Sequence, residues 1–376
     1  MYIILAILIF GFLIFIHELG HYITARIFGV KIYEFSIGMG PKIASFRSKK
    51  TEIKYSIGIL PIGGYVSMAG EDSPEEDAED VAPEEKVDDE NALCRKPRWQ
   101  RFIILASGSV TNLIFGIVVM CILVANFSAL STTTVKGFYQ KADTGYEISS
   151  YESGLRAGDE IVKVDGTRVY IANQLAYEIM RNGNEPIELV VIRDGVEKTL
   201  LVTFPTITES GQELGAIDFA TEITEKTFSG TVKHAFFYST STVKMIWESL
   251  YDLLTGRYGF EAVSGPVGVT VAIGEAAKVG FASVVYLTVV ISMNLGIMNL
   301  LPSPGLDGGR LFFVIIEMIT RKPLSQDREH GKPNRNSSYV RTHHRDPFQG
   351  RDSAFHKIKK RLTEKPPATA SPLFKP

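Results

Sequence analysis

Cysteine is nearly absent from this 376-residue chain: only Cys94 and Cys121 occur, the second deep in an apolar run, so no disulfide framework is expected. An excess of either charge is missing too. With 40 basic against 42 acidic side chains the balance sets up no field that attracts a polyanion, and a nucleic-acid partner is not expected. No positive segment precedes the first apolar run, which carries straight on into histidines, so a cleaved secretory signal is not expected either. The opening segment is predicted to stay as an anchor. Charge is also missing locally: none lies between Ile3 and Ile16, and none between Phe102 and Phe127.

What is present is long apolar sequence, in a chain that is 45% hydrophobic. Three spans are predicted, at about Ile3–Phe28, Phe102–Phe127 and from Phe281 to Leu301, each long enough for about 30 Å of hydrocarbon. Leu311–Ile319 is apolar again except for Glu317, so the third span is predicted to run on past the Pro302-Ser303-Pro304 break. Lys31, Lys42, Arg47, Lys49 and Lys50 follow the first span, and Arg95, Lys96, Arg98 and Arg101 precede the second. By the positive-inside rule residues 29–101 are cytoplasmic, 128–280 lie outside, and Arg310, Arg321 and Lys322 are inside again. Residues 71–90 carry twelve acids and one lysine, and residues 327–376 twelve basic residues against five acids; both read as solvated, flexible chain.

Inside the first apolar run sits His17-Glu18-Leu19-Gly20-His21. Two imidazoles and a carboxylate have no cheap place in hydrocarbon unless they bind or react with something. Residues four apart share a helix face, so His17 and His21 can both offer a ring nitrogen to one Zn²⁺. Glu18 points about 100° away around the helix, within reach of an open coordination position as a proton acceptor. The bare H-E-x-x-H pattern also occurs by chance in soluble helices, but those are not apolar all round.

A second polar stretch interrupts the third span, Asn299-Leu300-Leu301-Pro302-Ser303-Pro304-Gly305-Leu306-Asp307-Gly308-Gly309. Broken helical backbone at membrane depth is tolerated only where protein or a wet cavity covers it. Asp307 there reads either as an ordinary turn residue or as a third ligand completing a His₂-Asp set. Asn299 reads either as a helix-packing amide or as a group that holds a substrate backbone or a developing oxyanion; Asn294 reads as packing.

Between the second and third spans the sequence changes character. Residues 154–166 are followed by an amphipathic run at Gln174–Met180, a strand signal at Ile187–Arg193, and a second strand reaching Phe204. Asp194-Gly195 between two such runs predicts a hairpin. This α+β pattern resembles a PDZ domain, although no carboxylate-binding loop is evident, so tail recognition and a size filter both stay open. Residues 52–66 predict a hairpin or loop near the membrane, either a structural turn or an edge that could pair with an unwound substrate. Thr231–Leu254 partly follows helical spacing and reads as an interfacial helix or as core of the outer module.

Three patches together resemble the site-2 protease family of intramembrane zinc metalloproteases, in its bacterial RseP-like branch: His17 to His21, the Asn299 to Gly309 stretch, and Gly63 to Glu71. Gly265-Pro266-Val267-Gly268 is a further family-like element, and the likeness extends to about residue 325. The resemblance implies a multi-span α-helical protein of the bacterial cell membrane with an inserted α+β PDZ-like domain. Its implied segments are spans at 1–28, 102–127 and 281–320, a cytoplasmic loop at 29–101, a PDZ-like domain at 128–207, a linker with amphipathic helix at 208–280, and a basic tail at 321–376. It further implies zinc held by His17, His21 and Asp307, Glu18 as general base, and single-span membrane proteins as substrates, such as anti-sigma factors and remnant signal peptides. Members of this branch normally carry a fourth span, yet nothing after Ser325 approaches 18 apolar residues. The tail histidines His330, His343, His344 and His356 read as part of a basic disordered segment. Two rivals follow: a catalytically silent relative that only binds membrane peptides, and a metal transporter that uses the histidines without Glu18.

Overall fold

A computed structural model describes residues 2–70, 90–139, 149–209, 212–257 and 265–321. The acidic residues 71–89 and the basic tail from 322 onward lie outside that set, as do the expectations stated for them. Among the described residues three helices are long and apolar enough to cross a membrane: α1 (Tyr2–Ile27), α2 (Arg98–Ala125) and a later one, Phe281–Asn299. Each is built on a long apolar run with few charges, because such a chain loses little by leaving water while its backbone bonds to itself. The protein is thus a membrane protein with an inserted β domain.

α2 is the central post. Gly20 of α1 meets it so closely that an added Cβ would lie 2.5 Å from the Ser107 carbonyl, and Thr24 Oγ1 stands 2.9 Å from Ser107 Oγ. Without a lipid-water difference to drive helices together, such small-residue contact is what holds spans in register. On the other side Ser292 Oγ donates to the Asn112 carbonyl at 2.9 Å, fastening Phe281–Asn299 to α2.

Between α1 and α2 lie β1 (Ile32–Arg47) and β2 (Lys54–Met68), an antiparallel pair. Their inner halves are core: Ile32, Phe35, Ile53, Val66 and Met68 bury against Ala25, Leu93 and Ile104. Buried Glu34 accepts from Ser56 Oγ and faces Lys42 and Lys54, each 3.8 Å away. The outer arm differs. Met39, Ile43, Phe46, Ile59 and Leu60 are all exposed there.

The inserted domain is built on a sheet of order β10-β3-β4-β6-β7, from β3 (Leu130–Phe138), β4 (Glu160–Val164), β6 (Ile187–Arg193), β7 (Val196–Val202) and β10 (Phe219–Thr224), with β5 (Thr167–Arg168) paired to β4. A single helical turn, α3 (Ser149–Glu152), and α4 (Ala172–Asn182) accompany it, and β8 (Thr206–Glu209) pairs with β9 (Gln212–Gly215). Leu175 and Ile179 of α4 close its core over Val135, Ile161, Leu189 and Val191. The Asp194-Gly195 hairpin forms: both residues have positive φ, 53° and 77°, which matches the twist of the strands it joins. Asp165-Gly166 does the same between β4 and β5, at 44° and 74°. The sheet does not end at residue 207. β10 comes from the segment expected to be linker and pairs antiparallel with β3, a long-range pairing that no local pattern announces.

α5 (Phe228–Thr255) then connects this domain to the spans. It packs Ala235 and Ile246 among Met120, Val124 and Val289, and it binds α4 through charge. Arg181 reaches Asp252 with Nε at 3.1 Å and Nη2 at 2.9 Å, Lys244 pairs with Glu178, and the Phe237 ring stacks 4.1 Å from Tyr170. α6 (Pro266–Val279) leads into α7 (Phe281–Asn299), and after an irregular turn comes α8 (Asp307–Thr320). α8 follows α2 back to its start, where Arg101 Nη1 donates to Glu317 Oε2 at 2.7 Å and Arg98 Nη2 to the Arg321 carbonyl at 3.2 Å. Asn294, expected to join helices, is exposed instead.

Asp159 generates a pH prediction for the β domain. Burial pushes its carboxyl up, but Arg193 Nε and Nη2 donate to it at 2.6 and 2.7 Å and the Arg156 amide at 2.8 Å, which together hold it below the ordinary carboxylate range. A depressed carboxylate stabilises the fold fully above its unfolded value near about 4, and that stability is lost as pH falls through the folded value. Hydrogen-exchange protection factors of β4 and β6 in the full-length protein, taken relative to the intrinsic rate at each pH, should therefore fall below about pH 4. Asp159→Asn should flatten this dependence and raise exchange at neutral pH.

Candidate metal centre

The site begins with helix periodicity. His17 and His21 lie on one face of α1, both nearly buried, and that face is turned to α2. At the start of α8, Asp307 faces them. His17 Nε2 is 2.9 Å and His21 Nε2 3.0 Å from Asp307 Oδ2, and the two Nε2 atoms are 3.3 Å apart. Among the described residues this trio is the group of three or more His, Cys, Asp or Glu side chains that could hold a metal ion.

Asp307 reaches this position because the backbone breaks before it. Pro302 and Pro304 lack amide donors, so α7 cannot continue, and residues 301–306 close their own turns: the Ser303 amide donates to Leu301 O at 2.7 Å and that of Leu306 to Ser303 O at 3.3 Å. Asp307 then opens a new helix, where a carboxylate sits favourably against the amino-terminal dipole.

The donor set fits a metal cation. His21 Nδ1 donates to the Ile104 carbonyl at 2.8 Å, which leaves the neutral ring's Nε2 as a lone pair aimed inward. That lone pair meets a second ring nitrogen and a carboxylate oxygen, an arrangement that invites a shared positive charge. Tetrahedral donors about 2.0–2.1 Å from zinc are themselves about 3.3 Å apart, close to the separations here. Space is kept as well. At Gly108 of α2 an added Cβ would collide with His21 Nε2 and lie 2.7 Å from His17 Nε2, so only glycine lets α2 lie against the pair.

A cavity of about 250 Å³ opens beside the trio, lined by His17, Glu18, Asp307 and Asn299 together with Gly63 and Gly64 of β2. Four of the five site residues read from the sequence line this space, and His21, the fifth, borders it through its contacts with His17 and Asp307. Glu18 packs next to Gly64, where a Cβ would be 3.3 Å from its Cγ. Two contributors were not foreseen. Gly108 supplies clearance, and Asn112 lines the cavity with a buried side chain. The available signal was the polar and small run Ser107-Gly108-Ser109 with Thr111-Asn112 in an otherwise apolar span.

Residues 5–331 match peptidase family M50. A Clostridium acetobutylicum protein provisionally named a zinc metalloprotease is 35% identical over 327 residues, covering 87% of this chain and 90% of that protein. The regulator of sigma-W protease RasP of Bacillus subtilis is 30% identical, over 86% of this chain and 91% of its own. The zinc metalloprotease RasP of Geobacillus kaustophilus is 28% identical over the same shares.

Gly108→Ala tests the clearance argument. It should lower zinc affinity by about tenfold or more while leaving helix content unchanged, as read by metal analysis after graded chelation. Zinc retention equal to that of the unaltered protein would contradict it.

Proposed function

The chain belongs to peptidase family M50 and is a zinc metalloprotease; from that premise we propose that His17, His21 and Asp307 hold the zinc ion, that Glu18 is the general base, and that the substrates are single-span membrane proteins. The observation that carries this reading is the convergence of Nε2, Nε2 and Oδ2 within 3.3 Å of one another, beside Glu18 in one cavity.

Zinc in such a site supplies Lewis-acid chemistry, polarising a carbonyl and acidifying water towards a pKa of about 7. The chain's own residues do the rest. Glu18 takes a proton from water as its oxygen bonds to the scissile carbonyl carbon, then returns that proton to the departing amine nitrogen as the C–N bond breaks. Balanced this way, one water is consumed and one acid and one amine leave. His21, oriented by the Ile104 carbonyl, keeps its Nε2 lone pair on the cavity side throughout. Asn299, on the cavity wall, is the candidate to hold the substrate carbonyl as negative charge develops.

A transmembrane helix hides its amides in its own hydrogen bonds, so cleavage needs a locally extended segment. β2 borders the cavity at Gly63 and Gly64, and in our reading it offers backbone groups to that segment. We read the β domain as PDZ-like and the topology as multi-pass in a bacterial membrane, with residues 29–101 cytoplasmic and the β domain outside. There β10, at the edge of its sheet, can accept an extended peptide tail, and the bulk of the domain excludes substrates with large outer portions. The sigma-W name of the Bacillus subtilis relative favours anti-sigma factors as one substrate class, with remnant signal peptides as another.

Glu18→Gln keeps the shape and removes the base. Cleavage of a single-span reporter should fall by about 10²–10⁴-fold with zinc content unchanged. Equal turnover in both proteins would defeat the endopeptidase reading.

A further inference from the structure

Among the residues of α2, Asn112 alone lines the cavity beside the zinc ligands. Its side chain is 1% exposed, and neither Oδ1 nor Nδ2 has a protein hydrogen-bond partner among the described residues. Buried carboxamides are almost always paired, and leaving both ends unpaired in apolar surroundings is costly. A residue that served only to join helices would spend those groups on a neighbouring helix. At this position the hydrogen bond between α2 and α7 is made instead by the Asn112 backbone, whose carbonyl accepts from Ser292 Oγ at 2.9 Å. That bond fixes where the side chain starts. Gly108, one turn earlier on the same face, lies against both imidazoles, so Asn112 sits on the face of α2 that borders the cavity and the proposed metal ligands.

We propose, resting on the endopeptidase reading, that Asn112 binds the substrate backbone, its carboxamide pairing with the N–H and C=O of one extended residue next to the scissile bond. In an extended strand the N–H and C=O of a single residue face the same side. A carboxamide presents one acceptor and one donor side by side, the complement of that edge. The requirement is acute inside a bilayer: a helix unwound for cleavage frees amides that no lipid can satisfy. Asn112 supplies partners without bringing a charge into the apolar site, and because it reads backbone it is indifferent to the substrate's side chains.

Asn112→Leu keeps the branched shape at a larger volume and removes both hydrogen-bonding atoms, with Asn112→Ala as the smaller second variant. Each is made in the wild-type chain for cleavage and in the Glu18→Gln chain for binding, with a fluorescent single-span peptide in detergent micelles as the probe. Peptide affinity should weaken about tenfold or more and kcat/KM should fall about 100-fold, with zinc content unchanged. The assignment is overturned if either folded variant binds the peptide as tightly as its parent, or if both variants lose zinc, which would make Asn112 part of the metal scaffold. Should Glu18→Gln cleave like the wild type, the endopeptidase reading fails while peptide affinity still decides the role of Asn112.

Discussion

Three electron-rich atoms held within 3.3 Å of one another, in a region where water is scarce, form the constraint around which the rest of the chain is arranged. Neither α1 nor α8 could bring them together alone. Each is set against α2, α1 through the Gly20 contact with Ser107 and α8 through Leu311, Val314 and the Arg101–Glu317 pair near the start of α2. Gly108 lies about 15 Å along α2 from its first residue, ten residues at about 1.5 Å each, so the donors meet well inside the helix bundle rather than at its rim. Desolvating two imidazoles and a carboxylate at that depth is expensive. A shared cation, as proposed for this trio, would offset that cost.

A second constraint acts on the substrate side. Every backbone group in hydrocarbon needs a partner, and a protease must take some partners away before it can attack. The cavity wall carries backbone of β2 at Gly63 and Gly64, Asn112 and Asn299, and the irregular turn at 305–306, the groups that the proposed reading assigns to that need. The same device that lets Asp307 leave the α7 helix axis, two prolines that cannot donate, also supplies part of that wall. Broken regularity is thus used twice, once to bring Asp307 against the two histidines and once to line the space.

Much of this was legible in the sequence. Long apolar runs with few or no charges marked α1, α2 and α7, since such a length suits hydrocarbon and little else. His17, Glu18 and His21 were legible by helical spacing, and Asp307 by its improbable place after Pro304. Asp194-Gly195 named its own turn. β10 was not legible, because its pairing with β3 spans some eighty residues and owes nothing to local pattern. Asn112 was not legible, because only the finished packing shows that its side-chain atoms have no partner among the described residues. Gly108 was hidden for the opposite reason: its contribution is an absence of atoms, which acquires meaning only when two rings are seen to occupy the space.

The salt links between α4 and α5 carry one more implication. Arg181 with Asp252 and Lys244 with Glu178 rivet a soluble lobe onto a helix that is itself wedged among hydrophobic spans. A lobe on a floppy tether samples many heights above the bilayer and discriminates poorly by dimension. A riveted one holds a single headroom, and under the proposed orientation and the size-filter reading that headroom would serve as the gauge, passing polypeptides trimmed short and turning longer ones away before any chemistry.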